Sequence, residues 1–416
     1  MGSNAPLWAI PAYLFVSLSV LWYLASILLA ALYQRVLYPR WRKRRYDPAY
    51  RPRCALIVPC KGTPRHFQDN LLALLQQDYA RYEVILSVEA ESDPAVPIIR
   101  AAIAACCAAT GSGRATKGCR ASLVVAGLAS TCAQKVHNQL AALQHVDSPD
   151  VLVFADSDVK LAPGWLRQLV LPLSDPGVSI ATGFYWLSPL ACTRATRTLG
   201  ELVHCQMNRI MYTLFVSSIP WGGLGVWGGG MAMRRADFEA HQIAARWREC
   251  VVDDMSLAEI AVRRRLKTVL APQCITLSDD IETTLLGSTN WFARQLMLVK
   301  AHGWGLWALC VFVSCAYLAA SALLPISLLG ALFAQASFWG WGGGAALILM
   351  AGEMLAVLAY SLLGHTPDRP RVALLAPLLR YAQFVSVAKT VFNWTIHWSG
   401  VRYTVDRRGR VVHIER

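Results

Sequence analysis

The stretch Val151–Trp165, VLVFADSDVKLAPGW, runs from apolar residues directly into two acids, Asp156 and Asp158, separated by one serine. An unbroken apolar run is typical of an interior strand of a parallel sheet, which is buried on both faces. Ligands of open α/β sheets bind at the carboxyl ends of the strands, where both acids would lie. Two carboxylates in this spacing can hold one divalent cation and leave positions open for phosphate oxygens. The stretch also suits a plain turn before a helix near Pro163, and by itself it leaves both interpretations open.

Apolar and helical segments alternate on both sides of this stretch. Repeated βα units of this kind predict a mostly parallel sheet covered by helices. The pairs are CALIVP with RHFQDNLLALLQQ, YEVILSVE with AVPIIRAAIAACCAA, ASLVVAG with QKVHNQLAALQ, and VLVFAD with GWLRQLVLPL. We therefore predict one Rossmann-like α/β domain over residues 35–300, a length that can enclose a sizeable core.

Acids also follow other predicted elements. In YEVILSVEAESDPA, Glu89 ends an apolar strand and Glu91 follows it, so carboxylates again lie at the mouth of the predicted sheet. Such groups can accept hydrogen bonds from a base or a ribose, although a solvated loop has the same composition. In VVDDMSLAEIAVRRRL, Asp253 and Asp254 precede an amphipathic helix. One of them is expected to be the N-cap of that helix, which leaves the other for chemistry.

A long uncharged segment near the start of the chain predicts a membrane span. Residues 7–33 carry no charge, exceed the ~20 residues that cross a bilayer, and lack the basic start of a cleaved signal peptide. Residues 34–53 contain eight arginines and lysines and one acid, which places them in the cytosol. We predict a transmembrane helix over residues 1–34, in a bacterial inner membrane or, in a eukaryote, in the Golgi or endoplasmic reticulum.

Composition supports a membrane protein rather than a nucleic-acid-binding one. The 416 residues are 55% hydrophobic and 16% charged, too apolar for an ordinary soluble protein. The formal net charge is +14, but the basic residues concentrate beside apolar segments, where contact with anionic lipid accounts for them. We therefore expect the membrane as a partner and no nucleic acid.

Three further apolar tracts lie within residues 301–416. They begin at Trp304, Phe338 and Val372. The first two are long enough to span a bilayer. In the third, Arg380, Gln383 and Lys389 would share one polar face of a helix at the membrane interface. Two spans return the chain to the cytosol, which suits the basic tail VRYTVDRRGRVVHIER. Residues 301–416 are thus predicted to be transmembrane and interfacial helices with a basic cytosolic tail.

Cysteine usage and the absent motifs exclude several enzyme classes. The twelve cysteines are scattered without a CxxC pair, which favours buried thiols over disulfides or a metal cluster. The motifs HExxH, GxSxG and GxxxxGK[ST] are absent, which excludes the commonest hydrolases and nucleotide triphosphatases. The glycine-rich segment Trp221–Met233 predicts a mobile loop near a bound ligand, with Trp221 and Trp227 covering the entrance, although a structural turn beside a buried Trp has the same composition.

Several short motifs occur in a fixed order along nearly the whole chain. They are Pro59, Lys61 and Gly62, the block NLLALLQQDYARYEV, the DPA of Asp93–Ala95, Lys135 with Asn138, Asp156, GGGMAMRR from Gly228, Asp254, and the ending IHWSGVRYTV. In this order they resemble the ceramide glucosyltransferase family, relatives of the large family of membrane-bound inverting GT-A glycosyltransferases.

The resemblance implies transfer of a hexose from a UDP-sugar, with UDP-glucose the expected donor, to the hydroxyl of a ceramide-like lipid with inversion. It implies a GT-A domain on the cytosolic face, with transmembrane helices at both ends of the chain. It also implies Asp254 as general base and a Mg²⁺ or Mn²⁺ ion held by Asp156 and Asp158. The expected substrate-binding residues are Pro59, Lys61, Glu89, Glu91, Lys135, Asn138, Asp156, Gly230, Asp253, Arg294 and Gln295.

Two positions depart from the family pattern. The first acidic position normally carries Asp, whereas here Glu89 or Ala90 stands there. The Gln-x-x-Arg-Trp signature reads RQLMLVK, which keeps Gln295 but has Leu298 and Val299 in place of Arg and Trp. Either the acceptor contact is rebuilt by other side chains or activity is reduced. In the first case, the contact is expected from Arg294, Lys300 or Trp291.

Other functions fit parts of the sequence. An enzyme that glycosylates another lipid, such as a hopanoid, or a polysaccharide synthase would share most of the motifs. The missing Trp weighs against a processive synthase, which holds its growing chain against that ring. A non-catalytic scaffold or transporter would share the spans, but a transporter would carry acids inside them, and Glu353 is the only one there.

Overall fold

A seven-stranded sheet forms the centre of the computed structural model, which describes residues 9–111, 119–187, 198–222, 225–278, 281–333, 336–363 and 376–416. Its strands are β1 (Cys54–Pro59), β2 (Tyr82–Val88), β3 (Cys119–Val125), β4 (Val151–Ala155), β5 (Ile180–Leu187), β6 (Gly230–Arg234) and β7 (Thr268–Ser278). The order across the sheet is β3-β2-β1-β4-β6-β5-β7. All strands except β6 run in one direction, and β6 is antiparallel to β4 and β5. The predicted α/β fold with a mostly parallel sheet is confirmed.

Strand β4 shows why the apolar run before Asp156 forms an interior strand. Val151, Val153 and Ala155 pack into a core on one face of the sheet, and Leu152 and Phe154 pack into a core on the other. None of the five is more than 2% exposed. Each large apolar side chain buried in this way contributes about 1.5–3 kcal/mol to folding. A strand buried on both faces has no solvent side, so its sequence does not alternate.

Helices cover both faces of the sheet. They are, in chain order, α1 (Ala9–Leu32), α2 (Tyr38–Arg45), α3 (Phe67–Leu75), α4 (Ala95–Gly111), α5 (Gln134–Ala142), α6 (Trp165–Val170), α7 (Leu199–Ser217), α8 (Arg235–Ala240), α9 (Ile243–Trp247), α10 (Asp253–Arg264), α11 (Leu285–His302), α12 (Trp304–Phe333), α13 (Ala336–Ala359) and α14 (Ala376–Val391). Helices α3, α4, α6 and α7 contribute buried side chains to one core, and α5, α9 and α10 to the other. The two-layered cover buries both faces of the sheet and leaves its carboxyl-end edge for ligands.

The pairing register brings the ends of four strands to one edge of the sheet. Pro59 at the end of β1 pairs with Ser87 near the end of β2, and Ala155 at the end of β4 pairs with Gly230 at the start of β6. The residues that follow β1, β2 and β4 and the residues that precede β6 therefore meet along this edge. Gly230–Arg234 form a buried strand, so the predicted mobile loop cannot include Gly230–Met233.

Residues 395–416, which include the basic tail, form a small antiparallel sheet that packs on the α/β domain. Its strands are β8 (Thr395–Trp398), β9 (Val401–Val405) and β10 (Val411–Glu415). Arg410 forms an isolated antiparallel bridge with Cys250, and the backbone N–H of Gln134 donates to the hydroxyl of Tyr403 over 3.2 Å. Ile396 and Tyr403 lie in the core of the domain. The chain thus returns to the domain after its C-terminal helices.

One helix of the described residues, Tyr13–Arg45, is long and apolar enough to cross a membrane by length and composition. It combines α1, a short π-helical turn and α2, so it continues past the boundary predicted at residue 34. Near the C-terminus, the described apolar helical segments Trp304–Ala319 and Leu347–Ala356 are shorter. The predicted start of the first span at residue 7 and of the last apolar tract at residue 372 lie outside the described residues.

The polar face predicted for the last helix, α14, contacts protein. Its contacts are Arg380 Nη2 with Glu353 Oε1 at 2.7 Å, Gln383 Nε2 with Ser314 Oγ at 3.3 Å, and Lys389 Nζ with Thr289 Oγ1 at 2.8 Å. The three side chains contact three different helices, α13, α12 and α11, because buried charged groups need partners. Arg380 and Lys389 are nine residues apart, about two and a half helical turns, so they point to opposite sides of α14 and the prediction of one shared polar face is wrong.

The cysteines in the described part of the chain are free thiols, and most of them are buried. Burial raises the pKa of the Cys60 thiol to about 12, so it stays protonated and unreactive. The prediction of buried thiols is confirmed for six of these cysteines, whereas Cys106 and Cys310 are half-buried and Cys315 is exposed.

Candidate active site

A cavity of about 470 Å³ lies at the carboxyl-end edge of the sheet. Its lining includes Lys135, Asp156, Asp158, Tyr185, His204, Trp227, Asp254, Glu282, Trp291, Arg294, Gln295, Leu298, Ile396 and Trp398. The cavity therefore brings together eight of the residues predicted from sequence. These are Lys135, Asp156, Asp158, Trp227, Asp254, Trp291, Arg294 and Gln295. The cavity is bounded by the carboxyl ends of the strands, by helix α11 and by the C-terminal strand β8.

The two acids that follow β4 both line the cavity. Ser157 between them is 8% exposed and lies inward, where its carbonyl accepts a hydrogen bond from the Asn70 amide over 3.4 Å. Asp158 is exposed, whereas the side chain of Asp156 is 28% exposed. The alternation places both carboxylates at the cavity, which is the arrangement that the i and i+2 spacing predicts.

Lys135, on the first turn of α5, connects Asp156 to the acidic pair of α10. Its Nζ lies 2.7 Å from Asp156 Oδ1 and 3.3 Å from Asp253 Oδ2. Burial lowers the pKa of this ammonium, but the carboxylates of Asp156, Asp253 and Asp254 outweigh burial and hold the pKa above its ordinary value. Lys135 is therefore a permanent cation that organises three carboxylates and also contacts the ring of Trp398 at 5.7 Å.

Asp254 is held in place by two backbone donors. Its Oδ2 accepts from the N–H of Gly228 over 2.9 Å, and its Oδ1 accepts from the N–H of Met255 over 2.6 Å. Burial, together with the nearby charge of Asp253, raises the pKa of Asp254 to about 7, against the opposing effect of Lys135. A carboxylate with a pKa near neutrality, fixed at a cavity, has the properties of a general base.

Asp253 lies beneath the cavity and is 0% exposed. Its Oδ2 accepts from Gln139 Nε2 over 2.7 Å, and its Oδ1 has no hydrogen-bond partner in the described part of the chain. The prediction that one acid of the pair is the N-cap of α10 is wrong. The N-cap is Val252, without a side-chain cap, and both acids lie in the first turn, where the helix dipole favours negative charge.

The glycines before β6 give the acidic pair its space. A Cβ on Gly228 would lie 2.8 Å from Asp253 Oδ1 and 3.1 Å from Asp254 Oδ2. A Cβ on Gly229 would lie 3.0 Å from Asp156 Oδ2 and closer still to Trp227. The backbone must approach the carboxylates this closely for the Gly228 N–H to reach Asp254, so a side chain is excluded here.

His204 lines the cavity and was not predicted from sequence. The N–H of Glu282 donates to His204 Nδ1 over 2.9 Å, so the ring proton lies on Nε2, which is buried without a partner among the described residues. Burial, with a smaller contribution from Arg294, lowers the pKa of His204 to about 4. The ring is therefore neutral and stacks edge-on to Trp291, with 4.3 Å between centroids. Its Nε2–H can donate to a ligand.

Helix α11 provides one wall of the cavity. Trp291, Arg294 and Gln295 line it, and so does Leu298, which stands where the family signature carries Arg. Lys300 does not. It is 2% exposed and donates three hydrogen bonds of 2.7–3.0 Å to carbonyls that follow α14 or end it. The expectation that Lys300 rebuilds the acceptor contact is therefore wrong, because the ammonium caps a helix C-terminus.

The other predicted residues lie around the cavity but outside its lining. Lys61 Nζ pairs with Glu89 Oε2 at 3.1 Å, just beyond the ends of β1 and β2. Glu91 pairs with Arg100 at 2.5 Å and is exposed. Of these two ion pairs, Lys61–Glu89 is the one that lies at the ligand-binding edge.

Three further predicted residues support the edge from inside. Pro59 is the buried last residue of β1, and Gly230 begins β6, where a Cβ would lie 2.9 Å from the Trp227 ring. Asn138 is 2% exposed and accepts from Gln134 Nε2 over 2.9 Å. These residues shape the backbone of the site from positions that a cavity ligand does not reach.

The DPA motif has a structural explanation. Asp93 is 8% exposed, and its carboxylate accepts from the N–H of Gly62 over 3.0 Å and from the N–H of Ala95 over 2.8 Å. Gly62 has a φ of 61°, a conformation that favours glycine. Asp93 thus ties the loop after β1 to the start of α4.

The donor set at the cavity fits a divalent cation that completes its coordination with a ligand. Three carboxylates surround the single ammonium of Lys135, and Asp158 adds a fourth nearby, so the cluster has an excess of negative charge. No group of three His, Cys, Asp or Glu side chains that could hold a metal alone occurs in the described ranges. Mg²⁺ is commonly bound by one or two carboxylates together with substrate phosphates, which Asp156 and Asp158 can provide for.

Comparison with known proteins places the chain in a family. The mannosyltransferase PcManGT from Pyrobaculum calidifontis, solved with GDP-Man and Mn²⁺, is 16% identical with a TM-score of 0.45, covering 91% of this chain and 99% of that one. Glucosyl-3-phosphoglycerate synthase from Mycobacterium tuberculosis, solved with Mn²⁺, UDP and phosphoglyceric acid, is 14% identical with a TM-score of 0.36, covering 59% and 78%. No curated protein matches the chain. The model of glycosyl transferase family 21 matches residues 20–411. The chain therefore belongs to glycosyl transferase family 21, which confirms the family resemblance of its motifs.

Proposed function

We propose that this glycosyltransferase transfers a hexose from a UDP-sugar, with UDP-glucose the expected donor, to the hydroxyl of a ceramide-like lipid, inverting the anomeric configuration. The observation that carries the proposal is Asp254, a carboxylate fixed at a cavity by two backbone N–H groups with a pKa of about 7. A base poised near neutral pH suits the deprotonation of an alcohol at the moment of attack.

The proposed reaction is a single displacement. The acceptor oxygen forms a bond to the anomeric carbon while the bond from that carbon to the donor's diphosphate oxygen breaks, and the electron pair leaves with UDP. Asp254 takes the hydroxyl proton. Attack on the face opposite the leaving group inverts the configuration and needs no enzyme nucleophile. His204 Nε2–H and the indole of Trp291 lie at the same cavity and provide a donor and an apolar surface for the acceptor.

Asp156 and Asp158 are the proposed ligands of a Mg²⁺ or Mn²⁺ ion. Such an ion, when bound, would offset the negative charge that develops on the diphosphate leaving group. Lys135 holds Asp156 in position through the 2.7 Å contact, and Gly229 leaves room for the other oxygen of that carboxylate. The protein's own contribution is thus a preorganised pair of carboxylates beside the base.

The donor and acceptor are assigned to different parts of the edge. Glu89, paired with Lys61 beyond β1 and β2, is the proposed contact of the nucleoside. Arg294 and Gln295 on α11 are the proposed contacts near the acceptor. Pro59, Asn138, Gly230 and Asp253 are proposed to act by supporting the backbone and the base, and the Glu91–Arg100 pair is proposed to stabilise the start of α4.

A membrane acceptor is supported by the path of the chain from the cavity. Gln295 lines the cavity, and α12, which begins at Trp304, is nine residues further on, about 14 Å of helix. The end of α11 and the strand β8 both pack on the catalytic domain. The chain between α11 and β8 therefore starts and ends on the same side of the membrane and must cross it an even number of times. This supports two C-terminal spans, α12 and α13, in addition to α1. The basic flank of α1 supports the cytosolic face for the domain.

The experiment is transfer of radiolabelled sugar in membranes that contain the protein. We expect label from UDP-glucose in the organic phase when ceramide is supplied, and loss of that label in the Asp254→Asn variant. Label in an ethanol-insoluble polymer would indicate a polysaccharide synthase instead. Label in neither phase, with each UDP-sugar and with ceramide or a hopanoid as acceptor, would reject a transferase role.

A further inference from the structure

A second cavity, of about 620 Å³, shares no lining residue with the active site. It lies between α9, α10, the start of α12 and the turn that joins β9 to β10. We call it the basic pocket. Its lining is Arg246, Glu249, Glu259, Arg263, Ala301, His302, Trp304, Arg407, Arg408 and Arg410.

The acids of the basic pocket neutralise only part of its positive charge. Glu259 is shared by Arg246 at 3.3 Å, Arg263 at 2.9 Å and His302 at 3.1 Å. Arg410 pairs with Asp406 of the adjoining turn at 2.8 Å and also interacts with the charge of Glu249, the second acid of the lining. Arg407 and Arg408 are exposed and form no ion pair in the part of the chain that the structure describes. Two guanidinium groups therefore remain available, and their planar forks match phosphate oxygens.

Hydrogen bonds and close packing hold the turn that forms one wall of the basic pocket. Asp406 Oδ1 accepts from the N–H of Arg408 over 2.8 Å and from the N–H of Arg410 over 2.9 Å, which fixes the turn. Gly409, with φ 68°, packs on His302, where a Cβ would lie 2.9 Å from Nε2. The His302 side chain is 1% exposed, and its Nε2 has no partner among the described residues. The Asp406 carboxylate thus holds the backbone from which Arg407 and Arg408 extend into the pocket.

The position of the pocket indicates where its ligand comes from. Trp304, the first residue of α12, lines the pocket and is 63% exposed. An exposed Trp at the start of an apolar helix is typical of the membrane–water interface. Arginines at that level attract anionic lipid headgroups. The placement of α12 in the membrane rests on the proposed function, whereas the chemistry of the arginines does not.

We propose that the basic pocket binds the phosphate group of an anionic molecule, and that the headgroup of an anionic phospholipid supplies it. This ligand is neither donor nor acceptor of the transfer. Helix α10 carries both Glu259 of this pocket and Asp254 of the active site, five residues apart, or about 8 Å along the helix. An occupied pocket would therefore hold the helix that positions the base.

The test measures binding to the full-length protein in nonionic detergent. The probes are dihexanoyl phosphatidylglycerol, dihexanoyl phosphatidylcholine and inorganic phosphate. We expect the smallest dissociation constant for phosphatidylglycerol. The double substitution Arg407→Gln and Arg408→Gln should raise that constant roughly 25-fold. It should leave the thermal unfolding midpoint unchanged, because both side chains are exposed.

A matched control removes the same charge elsewhere. Arg81→Gln with Arg167→Gln, two exposed arginines outside both cavities, should bind phosphatidylglycerol as the parent does. Equal binding of inorganic phosphate and phosphatidylglycerol would overturn the lipid assignment. Equal binding of all three probes by the parent and the double variant would overturn the site itself. Neither result depends on whether sugar transfer is observed.

Discussion

The ionisation of Asp254 should control the rate of sugar transfer. Its two carboxylate oxygens are held by the N–H groups of Gly228 and Met255, and burial beside Asp253 raises its pKa to about 7. Only the ionised form can take a proton from the acceptor hydroxyl. Activity is therefore present above this pKa and is lost as the pH falls through it.

The size of the effect follows from the pKa. With a pKa of about 7, the ionised fraction falls from about nine-tenths at pH 8 to about one-tenth at pH 6. The kcat/KM of the parent should fall about tenfold over this interval, because kcat/KM reports the free enzyme. Asp254→Asn removes the base altogether and should lower kcat by about 10² to 10⁴-fold at pH 8.

The assay is the initial rate of label transfer into organic-extractable lipid between pH 5 and 9, at low donor concentration. Nucleotide-sugar binding is measured on the same preparations, and the Asn variant should retain it. Asp69→Asn is the matched control, since Asp69 also lies in the first turn of a helix but is exposed. It should follow the parent profile throughout.

Two results would refute the assignment. A parent kcat/KM that stays constant from pH 6 to pH 8 would show that no group with this pKa acts in the reaction. A transfer rate of Asp254→Asn within a few-fold of the parent would show that another residue is the base. Asp254→Glu, which keeps a carboxylate, distinguishes loss of the base from loss of the local backbone contacts.

Three further predictions concern the surroundings of the base. Gly228→Ala places a Cβ 2.8 Å from Asp253 Oδ1 and should lower the rate of transfer about 10²-fold. Gly164→Ala, whose Cβ meets nothing within 4 Å, is the control and should match the parent. Equal transfer rates for the two variants would contradict the steric argument. Chelation by EDTA should abolish transfer, and addition of Mn²⁺ or Mg²⁺ should restore it. Asp158→Ala should lower turnover about 10²-fold without changing the thermal unfolding midpoint. Full activity in the presence of EDTA would exclude a role for the metal. Lys135→Met leaves the buried carboxylate of Asp253, which is 0% exposed, without its cation. The free energy of unfolding should fall by about 3–5 kcal/mol in a denaturant titration. An unchanged denaturation midpoint would contradict this prediction.

The sequence predicted those parts of the structure that depend on local patterning. The run before Asp156 has no polar residue because β4 is buried on both faces. The sequence alone therefore predicted the strand and the position of both acids at its end. The βα alternation likewise predicted the parallel sheet. The direction of β6 could not be predicted, because an antiparallel strand of the same composition satisfies the same burial.

The site was predicted where one segment carries the chemistry and missed where distant segments meet. His204 lies on α7 in a stretch that matches none of the motifs named above, and its role follows from the backbone N–H of Glu282, a contact 78 residues away. Lys300 was misplaced because a lysine near Gln295 looks like a substrate contact. Only the three-dimensional path of α14 shows that its ammonium binds carbonyls at a helix end.

Completion of the cavity by β8 links catalysis to the order of synthesis. Ile396 and Trp398 line the cavity, yet they are made only after the catalytic sheet and the apolar helices α12 and α13 have left the ribosome. Domains fold as they emerge, N-terminal parts first. The sheet, the acids and the base are therefore synthesised before this wall, and the Lys135–Trp398 contact can form only after it emerges. A chain interrupted before β8 would carry the catalytic groups without a closed site, so its capacity for transfer would begin only when biogenesis is finished.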